Sequence, residues 1–205
     1  MVGRLCVVEP LDVDRHGPEL FAANSSEANW KFLVSGPYES EADYLAYLAK
    51  SFTDDPMAHA ILVDGKAVGL ATFMRINPTA GSIEVGNINL SPLLQRTPAS
   101  TEAMHLMMAR AFELGYRRYE WKCDAANGPS RTAALRLGFT FEGIHRQALI
   151  VKGLNRDTAW FSILDKEWPA VREAHQRWLS PENFSAGGRQ RESLSKMTAK
   201  LHTGS

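Results

Sequence analysis

The order of periodicities along the chain predicts an α+β domain built on a mixed β-sheet, and three observations carry that reading. Asp64-Gly65, the residue pair of a tight hairpin turn, joins two β-prone runs, and a second turn at Asn77-Pro78-Thr79-Ala80-Gly81 leads into a third. Residues 58–90 therefore read as an antiparallel meander. Directly after it, Met104, Met107, Met108, Ala111 and Phe112 recur at helical spacing, and residues 117–124 then alternate strictly between apolar and polar. A helix between two strands in the middle of the chain, with a meander before it, places one crossover inside a sheet that is otherwise antiparallel.

The elements follow in order. Residues 4–9, with Leu5, Cys6, Val7 and Val8, form a short β-prone run closed by Pro10. Residues 12–24 are weakly helical, offering Leu11, Leu20 and Phe21 to one face. Ser40 with Asp43 three residues on opens a better helix carrying Tyr44, Leu45, Leu48 and Phe52. Residues 58–63, 67–76 and 82–90 are the meander strands. A helix over 101–114 is placed to be capped by Gly115, and its methionine stripe reads as core packing. In 117–124, Tyr119, Trp121 and Cys123 oppose Arg118, Glu120, Lys122 and Asp124. A short helix over 130–137 stops at Gly138, strands follow at 144–151 and 158–164, and 165–179 is helical with Trp168, Val171, Ala174, His175 and Trp178 near one face. From 181 onward the chain is polar and reads as a tail of low structural content or one exposed helix, leaving 1–180 as the domain.

A length of 205 residues suits one domain with a sizeable core. Lys plus Arg and Asp plus Glu number 23 each, so no net field favours nucleic acid or an anionic membrane. Only the basic residues Arg189, Arg191, Lys196 and Lys200 speak for nucleic acid. Charged residues interrupt every apolar run before it could span a bilayer, and the N-terminus lacks a secretory core. Cys6 and Cys123 read as buried thiols of a reducing compartment, so the cytoplasm is the expected location. No His, Cys, Asp or Glu cluster has metal-site spacing, so no metal is expected.

Two stretches carry the chemistry. Gln95-Arg96-Thr97-Pro98-Ala99-Ser100-Thr101-Glu102-Ala103 is a short polar loop running into a helix start, where backbone N–H groups at the positive dipole end can hold a phosphate. The same residues also serve as a simple N-cap. Downstream, Asn127-Gly128-Pro129-Ser130 precedes two alanines, Leu137-Gly138-Phe139 and Glu142-Gly143. Together with the order of strands and helices over residues 4–168, this pattern resembles the GNAT acetyltransferases, closest to the branch of ribosomal-protein N-terminal acetyltransferases.

The resemblance implies the GNAT fold, a central twisted mixed sheet of six to seven strands flanked by helices, with acetyl-CoA as acyl donor and an amine as acceptor. It implies that the amides of Gln95, Arg96, Thr97, Ala99, Ser100 and Thr101 hold the coenzyme A pyrophosphate. Pro98 stands where the family has glycine, and it removes one donor. It implies a pantetheine arm between strands ending near Leu90 and Asp124, bound by Asn127, with Ser130 placed to protonate the leaving thiolate. Asn127 and Ser130 also suit a helix cap. A backbone amide near the end of the third meander strand would stabilise developing negative charge.

Glu84, on that strand beside Gly86 and Ile88, is a candidate general base and equally a candidate ion-pair residue. His59 and His145 are further strand candidates. Trp30, Phe32 and Tyr38 flank Gly36-Pro37 in the region that covers the acceptor in such folds, or they pack helices onto the sheet. The expected activity is acyl transfer to a protein N-terminus or a small-molecule amine. The alternative is a non-catalytic acyl-CoA-binding or protein-interaction module on the same fold. Late strands of this fold pair across dimer interfaces, which leaves a homodimer open.

Overall fold

A computed structural model describes residues 1–199 and 201. The chain forms two compact units, the first Met1–Arg110 and the second from Ala111 on. The first holds β1 (Val7–Pro10), α1 (Val13–Ala23), a 3-10 turn (Glu27–Trp30), α2 (Glu41–Ser51), β2 (Met57–Val63), β3 (Lys66–Asn77) and β4 (Ser82–Leu90). α3 (Pro98–Glu113) leads out of it.

β1 to β4 pair antiparallel in sequence order. Asp64 and Gly65 take φ of 50° and 78°, so the β2–β3 hairpin closes as its residue pair requires. Both helices start on side-chain caps: Asp12 accepts the Arg15 N–H at 3.1 Å, and Ser40 accepts the Asp43 N–H at 3.1 Å. α1, α2 and the inner sheet face enclose a core of Leu20, Trp30, Tyr44, Leu48, Ala60 and Leu70.

β1 begins at Val7, three residues later than the apolar run suggests, because Glu102 takes the backbone donors of residues 4–6. Its buried carboxylate accepts N–H bonds from Arg4 at 3.1 Å, Leu5 at 2.6 Å and Cys6 at 3.0 Å. Burial, and after it the Glu102 charge, pushes the Cys6 thiol up to about 12, so this cysteine is an inert apolar filler. Glu102→Ala strands three donors and is expected to cost about 2–4 kcal/mol, from penalties of about 1–3 kcal/mol per unpaired buried group. Thermal melting of the variant beside Glu102→Gln, which keeps one acceptor oxygen, checks this.

The second unit holds β5 (Arg118–Asp124), α4 (Gly128–Arg136), β6 (Thr140–Val151), β7 (Leu154–Leu164), α5 (Trp168–Leu179) and α6 (Leu194–Ala199). β7 pairs antiparallel with β5 on one side and β6 on the other. Tyr119, Trp121 and Cys123 are buried, as their alternation requires. The α5 stripe of Trp168, Val171, Ala174, His175 and Trp178 is buried in full. Gly138 stops α4 at φ 91°, in a space where a Cβ would press on Val171 and Thr198.

The reading of 181 onward as a loose tail or an exposed helix is corrected here. Leu194 and Met197 of α6 are buried, and Thr198 Oγ1 donates to the Arg136 carbonyl at 3.2 Å. Buried Asn183 donates to the carbonyls of Trp178 and Glu192, both at 3.1 Å. A few well-placed apolar side chains anchor a segment whose mean composition is polar. Of the four basic residues noted in this segment, Lys200 lies outside the described residues.

Candidate functional site

The end of β4 is built around an irregularity. Thr72 faces Gly86 and Leu70 faces Asn89, so β4 carries one more residue than β3 over this interval. The extra residue makes a bulge, and Asn87 takes φ 47° within it, a conformation asparagine tolerates. The Asn87 amide nitrogen donates to Thr72 Oγ1 at 3.3 Å.

Next to the bulge, a chain of amides joins three segments. Gln95 Nε2 donates to the Leu90 carbonyl at 2.7 Å and to Asn29 Oδ1 at 2.6 Å. Asn29 Nδ2 donates to Asn89 Oδ1 and Asn24 Oδ1, both at 2.6 Å. Asn24 Nδ2 donates to the Leu20 carbonyl at 2.9 Å. The carbonyls of Leu90 and Leu20 can only accept, so they set the polarity of the whole chain. Gln95 and Leu90, two of the predicted cofactor-binding residues, are thus bonded directly to each other.

The loop after β4 folds back on itself before α3. Ser91 O accepts the N–H groups of Leu94 and Gln95, both at 2.9 Å, and Arg96 sits at φ 60°. α3 begins at Pro98, three residues earlier than its apolar stripe suggests, and Thr97 is its cap: Thr97 Oγ1 accepts the Ser100 N–H at 3.2 Å. Proline is well suited to this first helical position, since its ring pre-sets φ and the missing N–H breaks no helical bond.

The opening donors can therefore be accounted for. The Thr97 N–H bonds Leu94 O at 3.3 Å, Pro98 has none, and the Ser100 N–H is capped, which leaves that of Ala99. The hydroxyls of Thr97 and Ser100 donate to the carbonyls of Leu94 and Thr97, both at 2.7 Å. Ala99 and Thr101 are buried, while the Arg96 side chain is exposed. This donor set suits an anion when the Arg96 guanidinium adds its charge to the helix end.

Glu84 is 3% exposed, and both of its oxygens accept from Arg75 Nη1, at 2.7 and 2.8 Å. The ion-pair alternative for Glu84 is thus what the structure holds. His59 is buried against Phe73 with Nδ1 3.2 Å from the Met57 carbonyl, and burial pulls its imidazole down from the ordinary value. His145 is exposed, its ring 4.6 Å from that of Trp160.

In the second unit, Asn127 caps α4 by accepting the Ser130 N–H at 3.1 Å, so α4 starts at Gly128 with Pro129 in its first turn. Asn127 Oδ1 is committed to the cap, and its Nδ2–H remains a donor. Ser130 Oγ accepts the Trp121 indole N–H at 3.1 Å, and its hydroxyl is also hydrogen-bonded to the side chain of buried Cys123.

The aromatic residues of the first unit surround a small cavity of about 20 Å³ whose lining includes Trp30, Tyr44, Tyr47, Phe52, Asn87 and Asn89. Tyr38 packs behind it, 5.4 Å from both Trp30 and Tyr44 and 4.9 Å from Tyr47. Phe32 does not join this cluster and lies under Lys31. Sequence reasoning passed over Asn29, Asn87, Asn89, Tyr47 and Arg75. Two asparagines in a strand, where asparagine is depleted, were the available signal for Asn87 and Asn89.

The model of the acetyltransferase (GNAT) domain family matches residues 4–140. A GCN5-related N-acetyltransferase from Brucella melitensis is 49% identical, superposes with a TM-score of 0.94 and covers 97% of this chain and 93% of its own. A probable acetyltransferase of the GNAT family from Chromobacterium violaceum is 42% identical with a TM-score of 0.80, covering 82% of this chain and 87% of its own. The protein named "Putative ribosomal N-acetyltransferase YdaF" in Bacillus subtilis is 23% identical over 79% of this chain and 91% of its own.

Proposed function

The chain belongs to the GNAT acetyltransferase family and has its α+β fold, and on that premise we propose that it transfers an acetyl group from acetyl-CoA to a primary amine. The observation that carries the reading is the start of α3: a capped sixteen-residue helix, entered through a folded loop beside the β4 bulge, with the exposed Arg96 next to its first turn. Gln95, Arg96, Thr97, Ala99, Ser100 and Thr101 form the phosphate end of the proposed site. Gln95 also fixes the Leu90 carbonyl and through it the end of β4. When bound, acetyl-CoA supplies an activated acetyl thioester.

Asn127 Nδ2 would bond the donor's arm, and the Ser130 proton would go to the departing sulfur. Glu84 would accept the amine proton, directly or through a water. Residues 1–180 are assigned to the transferase and 181–205 to a C-terminal extension. Among the described residues no helix is long and apolar enough to cross a membrane, and the cytoplasm is the proposed compartment. A second reading, acyl-CoA binding without turnover, draws on the Arg75 pair that occupies both Glu84 oxygens.

Thiol release from acetyl-CoA, measured with a panel of amines, tests the proposal, and amine-dependent release is the expected result. Asn127→Asp keeps the cap acceptor and loses the Nδ2–H donor, so we expect KM for acetyl-CoA to rise about tenfold with melting little changed. Asn127 has no part in donor binding if KM is unchanged. Glu84→Gln is expected to lower kcat about a hundredfold if Glu84 is the base. An unchanged kcat in Glu84→Gln assigns the residue to the ion pair alone.

A further inference from the structure

Three polar side-chain atoms on one face of β7 lack a hydrogen-bond partner. Arg156, Thr158 and Trp160 stand two residues apart along the strand and so rise from the same face. Arg156 Nε, Thr158 Oγ1 and Trp160 Nε1 are each buried and unpartnered, and Thr158 as a whole is 6% exposed. Unmet buried polar groups are costly and rare, and three in a row on one strand point to a ligand that meets them.

The neighbours in register are occupied elsewhere. Lys122, beside Trp160, holds its Nζ 3.4 Å from the indole centroid and pairs with Glu120 at 3.0 Å. Asp124, beside Thr158, accepts the Ala126 N–H with Oδ1 at 2.8 Å. On the β6 side His145 stands next to Thr158, its exposed ring 4.6 Å from that of Trp160.

The unmet atoms define what they can hold. A guanidinium N–H and an indole N–H only donate, and the threonine hydroxyl can donate with them. The group that satisfies all three is an acceptor with several lone pairs, and the Arg156 charge makes it an anion. Residues two apart on a strand rise about 7 Å from one another, so the long Arg156 and Trp160 side chains flank whatever sits over Thr158. The Asp124 carboxylate repels an anion on its own side and directs it toward Arg156, beyond the end of β5. Asp124 is also three residues before Asn127, which the acetyltransferase reading places on the donor's arm.

Resting on that reading, we infer that Arg156, Thr158 and Trp160 anchor an oxyanion, a carboxylate or a phosphate, carried by the acetyl acceptor. The acceptor is an amine that bears a negative group elsewhere in the molecule. It reaches the covered donors as the exposed His145 ring swings off Trp160.

The test uses the full chain and pairs of amines that differ in the negative group: β-alanine beside its amide, and phosphoethanolamine beside ethanolamine. Acetyl transfer is followed by thiol release from acetyl-CoA. Binding without transfer is followed by the rise in melting temperature with propionate or inorganic phosphate, against chloride at equal ionic strength. The better anionic amine should exceed its neutral partner in kcat/KM by about tenfold or more. The pair that shows the larger ratio distinguishes carboxylate from phosphate. Arg156→Gln should cut that ratio to about threefold or less. Thr158→Val removes an unmet buried hydroxyl, so it should melt no lower than wild type while the ratio falls about threefold. Equal rates within both pairs, or an unmoved ratio in Arg156→Gln, overturns the inference and leaves the acetyltransferase reading standing. Stabilisation by propionate or phosphate that Arg156→Gln abolishes, with no transfer to any amine, keeps the oxyanion site and overturns the acetyltransferase reading. Neither transfer nor stabilisation overturns both.

Discussion

Arg96→Ala is expected to weaken acetyl-CoA binding by about ten- to a hundredfold, the size of one charge-assisted hydrogen bond at about 1.5–3 kcal/mol. The reason is the donor account at the start of α3. Helix starts bind phosphate through several converging amides, and here Thr97 caps Ser100, Leu94 takes the Thr97 N–H and Pro98 brings none. With the Ala99 N–H left among the opening four, a full guanidinium charge has to supply much of what amides supply elsewhere. Arg96→Lys should recover part of the loss as a point charge without the fork. Raising the salt concentration should weaken the wild-type protein more than Arg96→Ala. Equal affinity in the two proteins would mean that Arg96 is only a surface residue of the loop.

Trp30→Ala is expected to cost about 3–5 kcal/mol of stability, the range for removing a large buried aromatic. Trp30 is 5% exposed, donates its indole N–H to the Asn24 carbonyl at 2.9 Å and stands edge-on to Tyr38 and Tyr44. Its ring occupies the place a side chain at position 36 would need, so the Gly36 turn and the indole fit together. Loss of the ring also leaves the Asn24 carbonyl without this partner. Trp30→Phe keeps much of the volume and loses the hydrogen bond, so it should cost about 1–3 kcal/mol. Chemical denaturation of the three proteins gives the order wild type, Trp30→Phe, Trp30→Ala. Near-equal stability of Trp30→Ala would show that the aromatic cluster closes over the gap.

Much of the fold was legible because its signals are local. Asp64-Gly65 takes the left-handed pair its hairpin needs, Ser40 caps α2 through Asp43, and Tyr119, Trp121 and Cys123 turn inward together. Several boundaries were misplaced because distant partners decide them. Residues 4–6 read as strand, yet the N–H groups of all three go to Glu102, nearly a hundred positions away. Pro98 read as damage to a loop, whereas the structure makes it the first residue of a helix. The β4 bulge left only the oddity of asparagine in a strand, since a shift of register depends on both strands. The packing of α6 rests on two apolar residues in a polar segment, too few for composition to reveal.

Near the candidate site, the helix cap that Asn127 makes with Ser130 was legible through its spacing, because a cap and the following first turn are local. The amide chain from Leu20 O to Leu90 O was not, since Asn24, Asn29, Asn89 and Gln95 are brought together only by the fold. The pairing of Glu84 with Arg75 likewise depends on the register of β3 against β4.

Calorimetric titration of the full chain with acetyl-CoA, CoA and a dephosphorylated analogue decides whether the start of α3 holds an acyl donor by its phosphates. Saturable one-to-one binding that weakens markedly when the phosphates are removed is the expected result. No binding up to millimolar ligand would contradict it: the fold would stand, and Pro98 with its capped neighbours would then mark a phosphate loop that no longer holds an acyl donor.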